Sequence, residues 1–194
     1  MPGAGKTVLS SVLIECLEQS FAKQDDIAIT YMFFDFREQL SLFEILAALL
    51  RQLLQGKSNR SVTRHLGQTT KKSMKLEWVQ SELRTLASGF GKTYIVLDAL
   101  DECAATGSTL RQLLEFLFAL RQAANVNIFA TSRYNEETAS LFAQDGLILE
   151  IQANDDDIRA YIDHRAASFV PLVARKPGLF AYIRDEIVKA SRGM

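Results

Sequence analysis

Residues 27–34 (IAITYMFF), 94–99 (YIVLDA), 127–132 (NIFATS) and 147–151 (LILEI) are short, nearly continuous apolar runs. Runs of this kind mark strands covered on both faces. The segments between them carry apolar residues at helical spacing. Val8, Leu9, Val12, Leu13, Cys16 and Leu17 predict a helix over 6–21. Leu42, Phe43, Ile45, Leu46, Leu49, Leu50, Leu53 and Leu54 predict a second. Leu76, Val79, Leu83 and Leu86 predict a third, and Leu110, Leu113, Leu114, Leu117 and Leu120 a fourth. A short helix is expected over 136–142. Parallel strands need long crossovers, so alternating strands and helices predict an α/β fold, a doubly wound parallel sheet with helices on both faces.

The pattern changes near residue 167. Asn154 caps a helix whose first turn is Asp155, Asp156 and Asp157, placing acids at the positive end of the helix dipole. Pro171, Pro177 and Gly178 then interrupt the chain before a last helix over 179–191. The expected division is a core over 1–166 and the start of a helical unit over 167–194. Between Gly56 and Lys75 lie Lys57, Arg60, Arg64, Lys71 and Lys72 with no acid and no aromatic, which reads as a solvated connection. With a net charge of −1 no global field recruits nucleic acid or membrane, so neither is expected as a partner. Cys16 and Cys103 lack metal-ligand spacing, no apolar run reaches membrane-spanning length, and a reducing, cytoplasmic setting is expected.

The chemistry concentrates in three places. Gly3, Ala4, Gly5, Lys6 and Thr7 lead directly into the first helix. Glycines let backbone amides converge on one point, and a helix N-terminus adds its dipole, so this segment is a candidate phosphate cradle. Lys6 is placed to meet β- and γ-phosphates, and the Thr7 hydroxyl to bind Mg²⁺. A second Gly-Lys-Thr, at residues 91–93, is followed by a strand instead of a helix and is read as the start of that strand. Asp98 emerges at the carboxyl end of YIVLDA, where ligands bind in open parallel sheets, and is a candidate Mg²⁺ ligand. Asp101 and Glu102 come soon after, suited to orient and deprotonate a water attacking a γ-phosphate. Thr131, Ser132 and Arg133 end the next strand on the same rim; Arg133 either senses the γ-phosphate or caps a strand end.

Taken together, PGAGKT, YIVLDALDE, IFATSR and YMFFDFRE resemble the NACHT-type, signal-transducing (STAND) group of P-loop NTPases. PGAGKT is similar to its Walker A motif and YIVLDALDE to its extended Walker B motif. More narrowly, the chain resembles the nephrocystin-like N-terminal domain of fungal NLR-like proteins, found ahead of ankyrin or other repeats. The resemblance implies a sheet of order 5-1-4-3-2, binding of ATP or ADP with slow hydrolysis, and a switch between closed and self-oligomerised states through a small helical domain. It carries a sensor role to Arg133.

Strand 1 of that pattern would precede Met1, and the effector and repeat regions lie outside the chain, so a fragment lacking strand 1 is expected. LILEI then has no inner neighbour, and a gap or rearranged pairing should separate it from IFATS. Two function classes result: a nucleotide switch module with ATPase activity, or a non-catalytic oligomerisation scaffold with a degenerate site.

Overall fold

A computed structural model describes residues 5–55, 75–103, 107–143, 146–151, 155–166 and 177–191. Its elements run α1 (Lys6–Ser20), β1 (Ile27–Phe33), α2 (Leu42–Gln55), α3 (Leu76–Gly89), β2 (Lys92–Asp98), a 3₁₀ turn (Leu100–Glu102), α4 (Gly107–Ala123), β3 (Val126–Ala130), α5 (Glu136–Ala143), α6 (Asp155–Ala166) and α7 (Pro177–Ser191). The described residues form two compact units, Lys6–Ile148 and the segment from Leu149 on together with Gly5. The basic residues within 56–74, the Asn154 cap, Gly3 and Ala4 lie outside the described residues.

The first unit holds a three-stranded parallel sheet of order β1-β2-β3, in which Thr30 faces Ile95 and Ile95 faces Ile128. The fold is α/β, a parallel sheet with helices packed on it. Register puts Ala28, Thr30, Ile95, Leu97 and Val126 on one face, where they pack with α2, α3 and α4 into the main core. Ile45, Leu46, Leu49, Leu83, Leu113 and Leu117 are fully buried there. The core-facing residues recur every three or four positions, so each helix buries one stripe and leaves the other wet. Helix α1 takes the opposite face, where Phe21 stacks on Tyr94 at 5.5 Å. An open groove lined by Leu13, Leu17, Asn127 and Phe129 runs beside it.

Edge strand β1 is closed by a side chain. Tyr31 points its backbone N–H and C=O away from β2; Gln52 Oε1 accepts from that N–H at 2.8 Å, and Gln52 Nε2 donates to that C=O at 2.7 Å. One primary amide thus takes the place of a neighbouring strand. Helix α2 starts in a capping box: Ser41 Oγ accepts from Glu44 N, and Glu44 Oε2 accepts from Ser41 N at 2.8 Å. The hydrogen bonds that the Glu44 carboxylate receives from Ser41 favour its charged form and lower its pKa.

The run at 147–151 corrects one expectation. Residues 146–151 lie outside any strand, and Leu147, Ile148, Leu149 and Ile151 are exposed, Leu147 to 84%. Order 5-1-4-3-2 without strand 1 would still hold strands 5, 4, 3 and 2; among the described residues only the equivalents of 4, 3 and 2 pair. Apolar, β-branched composition makes a segment fit for a sheet, but an unpaired strand leaves its backbone groups without partners and does not stand alone.

In the second unit α6 and α7 pack together, Ile162 and Val188 are buried, and Arg184 Nη1 lies 3.4 Å from Asp163 Oδ1. No helix among the described residues is long and apolar enough to cross a membrane.

Candidate functional site

Asp98 is the last residue of β2 and only 3% exposed. A carboxylate taken from water is costly unless it is hydrogen-bonded. Three hydroxyls meet it. Thr7 Oγ1 donates to Oδ2 at 2.7 Å, Ser10 Oγ to Oδ1 at 2.7 Å, and Thr131 Oγ1 to Oδ1 at 2.6 Å. Thr7 and Ser10 are three residues apart in α1 and so share one helix face. The first turn of α1 and the carboxyl ends of β2 and β3 therefore converge on one carboxylate.

The chain leaves β2 through Ala99, whose φ of 57° is the one positive value at a non-glycine residue among the described residues. The left-handed conformation costs an L-residue roughly 1–2 kcal/mol. Hydrogen bonds from neighbouring groups hold it. Ala99 N donates to Thr131 Oγ1 at 3.0 Å, Leu100 N to Thr131 O at 2.8 Å, and Thr131 N to Leu97 O at 2.9 Å. The sharp turn sends the 3₁₀ segment along the rim and displays Asp101 and Glu102.

Those two acids are engaged. Arg133 N donates to Asp101 Oδ1 at 2.9 Å, and Arg133 Nε lies 3.0 Å from Asp101 Oδ2. Arg133 Nη2 lies 3.7 Å from Glu102 Oε1, while Phe36 N donates to Glu102 Oε2 at 3.2 Å. Arg133, left by sequence between sensing a phosphate and capping a strand end, is in this structure an ion-pair partner of both carboxylates.

Of the sequence-derived candidates, the structure brings Thr7, Asp98, Asp101, Glu102 and Arg133 to one rim. Lys6 opens α1 immediately before Thr7, and Gly5 precedes it at φ 76°, a conformation that glycine adopts without steric cost. Two participants are not identified by sequence reasoning. Ser10 has a readable signal in its spacing from Thr7. The Phe36 amide has none, because a backbone donor acquires a role only through its tertiary position.

The second Gly-Lys-Thr is structural, as expected. Lys92 begins β2, its N–H donates to Asp26 O, and Asn125 Nδ2 donates to Gly91 O at 2.6 Å. Cys103 is buried, and burial pushes its thiol up to about 11, which leaves it protonated and unreactive at neutral pH.

The donor set suits Mg²⁺. Among the described residues no group of three or more His, Cys, Asp or Glu is arranged to hold a metal ion. Mg²⁺ does not need one, since it commonly takes one or two protein oxygens and completes its shell with phosphate and water. Thr7 Oγ1 and Asp98 Oδ2 are hard oxygen donors in mutual contact at a helix N-terminus, the place where anions bind.

The chain is 16% identical to the ORC1 protein of Aeropyrum pernix, solved in complex with DNA, with a TM-score of 0.56. The match covers 90% of this chain and 47% of that protein, so the chain spans about half its length. At that identity the likeness concerns the fold. No curated protein matches the sequence. A family model described as nephrocystin 3, N-terminal, matches residues 1–133, and the chain belongs to that family.

Proposed function

We propose that this chain is the nucleotide-binding module of a signalling switch, taking Mg-ATP or Mg-ADP and hydrolysing ATP slowly. The observation that carries the proposal is the 2.7 Å hydrogen bond from Thr7 to Asp98, which joins the start of α1 to the carboxyl end of β2. In this reading Gly3, Ala4, Gly5 and Lys6 cradle the phosphates, and Thr7 and Asp98 hold the cation. Bound Mg²⁺ supplies charge neutralisation at the phosphate oxygens. Glu102, with Asp101, orients the attacking water, and Arg133 senses the γ-phosphate. The division into a core over 1–166 and a helical start over 167–194, self-oligomerisation, further effector and repeat domains, and a cytoplasmic setting belong to the same proposal.

Titration of the chain with a fluorescent ATP analogue, with and without Mg²⁺, tests binding, and phosphate release tests chemistry. Lys6→Ala should weaken binding at least tenfold. Glu102→Gln should bind as the wild type does and release phosphate about a hundredfold more slowly. Absence of nucleotide binding by the wild type overturns the proposal. The exposed Leu147, Ile148, Leu149 and Ile151 favour a second reading, a scaffold that oligomerises without hydrolysis. Nucleotide binding without phosphate release by the wild type would favour that one.

A further inference from the structure

We infer that Ser10 is a positioning residue for the divalent cation. With Thr131 it pins Oδ1 of Asp98, so that Oδ2, shared with Thr7, is the oxygen presented to the metal. The inference rests on the nucleotide-binding reading above and adds a residue to it.

The two oxygens of Asp98 are unequally committed. Oδ1 accepts from both Ser10 at 2.7 Å and Thr131 at 2.6 Å, while Oδ2 accepts from Thr7. The terminal torsion of an aspartate is broad, so an unrestrained carboxylate rocks about its Cβ–Cγ bond. Two donors converging on one oxygen from different elements, α1 and the end of β3, remove that freedom. Oδ2 is left facing Thr7, the other candidate cation ligand.

Ser10 acts through Asp98 and touches no ligand itself, because it is 0% exposed. Alanine is the better helix former at a buried helical position, and a hydroxyl there is tolerated only when it is hydrogen-bonded. Its neighbour Ser11 provides the contrast: the Ser11 hydroxyl is exposed and donates to the Thr7 carbonyl of its own helix at 2.8 Å, with no link to the carboxylate.

Outer-shell partners of metal ligands typically govern metal affinity by 10–100-fold. The test measures binding of a fluorescent ATP analogue to the full chain as a function of free Mg²⁺, and again in EDTA. Ser10→Ala should raise the Mg²⁺ half-saturation point at least tenfold and leave affinity in EDTA unchanged. Ser10→Cys, which keeps the side-chain shape with a weaker donor, should give an intermediate shift, and it serves if the alanine variant does not fold. Ser11→Ala should match the wild type. An unmoved Mg²⁺ half-saturation in Ser10→Ala and Ser10→Cys, or equal losses with Mg²⁺ and in EDTA, assigns Ser10 a merely structural role and overturns the inference while the nucleotide reading stands. A wild type whose nucleotide binding ignores Mg²⁺, or is absent, overturns both.

Discussion

Arg133 grips Asp101 with backbone and side chain together: its N–H donates to Oδ1 at 2.9 Å and its Nε lies 3.0 Å from Oδ2. The contact ties the segment after β3 to the 3₁₀ turn after β2. It also sets the direction of the Arg133 side chain, which reaches on toward Glu102. The guanidinium side is 54% exposed, so water screens the pair and its contribution to stability is about 0–1 kcal/mol. Arg133→Ala should therefore lower the urea unfolding free energy by less than about 1 kcal/mol. Under the proposed function the same variant should slow phosphate release at least tenfold. A large stability loss with unchanged phosphate release would make Arg133 a strut for the rim and nothing more.

Gln52 carries the outer edge of β1. Removing its amide strands the Tyr31 N–H and C=O, both part-buried, and removes a partner of the Thr30 hydroxyl at 3.2 Å. Gln52→Ala should cost about 1–3 kcal/mol in chemical denaturation, the desolvation cost of unpaired polar groups. Gln52→Glu keeps the acceptor for Tyr31 N–H and loses the donor for Tyr31 C=O. It should fall between alanine and wild type at neutral pH. A free edge also invites strand pairing between molecules, so Gln52→Ala should raise light scattering near the melting temperature.

Two buried threonines, one on β2 and one just past the end of β3, make opposite predictions. Thr93 Oγ1 is buried and has no hydrogen-bond partner among the described residues. Thr131 Oγ1 donates to Asp98 and accepts from Ala99 N. Thr93→Val replaces an unsatisfied hydroxyl by a methyl of the same shape, and the melting temperature should hold or rise. Thr131→Val removes one of the two donors to Asp98 Oδ1, leaving Ser10, and orphans the Ala99 amide; it should cost about 1–3 kcal/mol. Equal melting shifts in the two variants would contradict the difference in their hydrogen bonding.

The cysteines should differ in reactivity and in pH dependence. Cys16 is exposed and Cys103 buried, so a thiol reagent at pH 8 should modify Cys16 quickly and Cys103 only on unfolding. Burial raises the Cys103 thiol from 9.0 to about 11. The folded state thus keeps a proton that the unfolded state releases. The resulting stability is whole below pH 9.0 and is lost as pH rises toward about 11. Cys103→Ala should flatten the fall of the urea midpoint over that window. A profile as steep as the wild type's would place the alkaline loss elsewhere.

Much of this molecule is legible from residue order. The helical spacing of α2, α3 and α4 and the apolar continuity of β1, β2 and β3 depend on local composition, so their existence and type can be read directly. The two Gly-Lys-Thr segments differ in their downstream neighbours, a helix after the first and a strand after the second, and that difference is visible in the apolar spacing alone. The segment 147–151 departs from its expected strand because strand composition describes what a segment can do beside a neighbour, and the presence of that neighbour is a fact of the whole sheet.

Local patterning alone settled the parallel α/β plan and named Thr7 and Asp98 as chemically distinctive, since periodicity and a lone acid ending an apolar run need no third dimension. Folding decided that one oxygen of Asp98 would be taken by Ser10 and Thr131 and the other by Thr7, and that Arg133 would close on Asp101 and Glu102. Hydrogen bonds join groups within about 3 Å, and residues as far apart in the chain as 10 and 98, or 101 and 133, come that close only when helix and strands are stacked into one sheet.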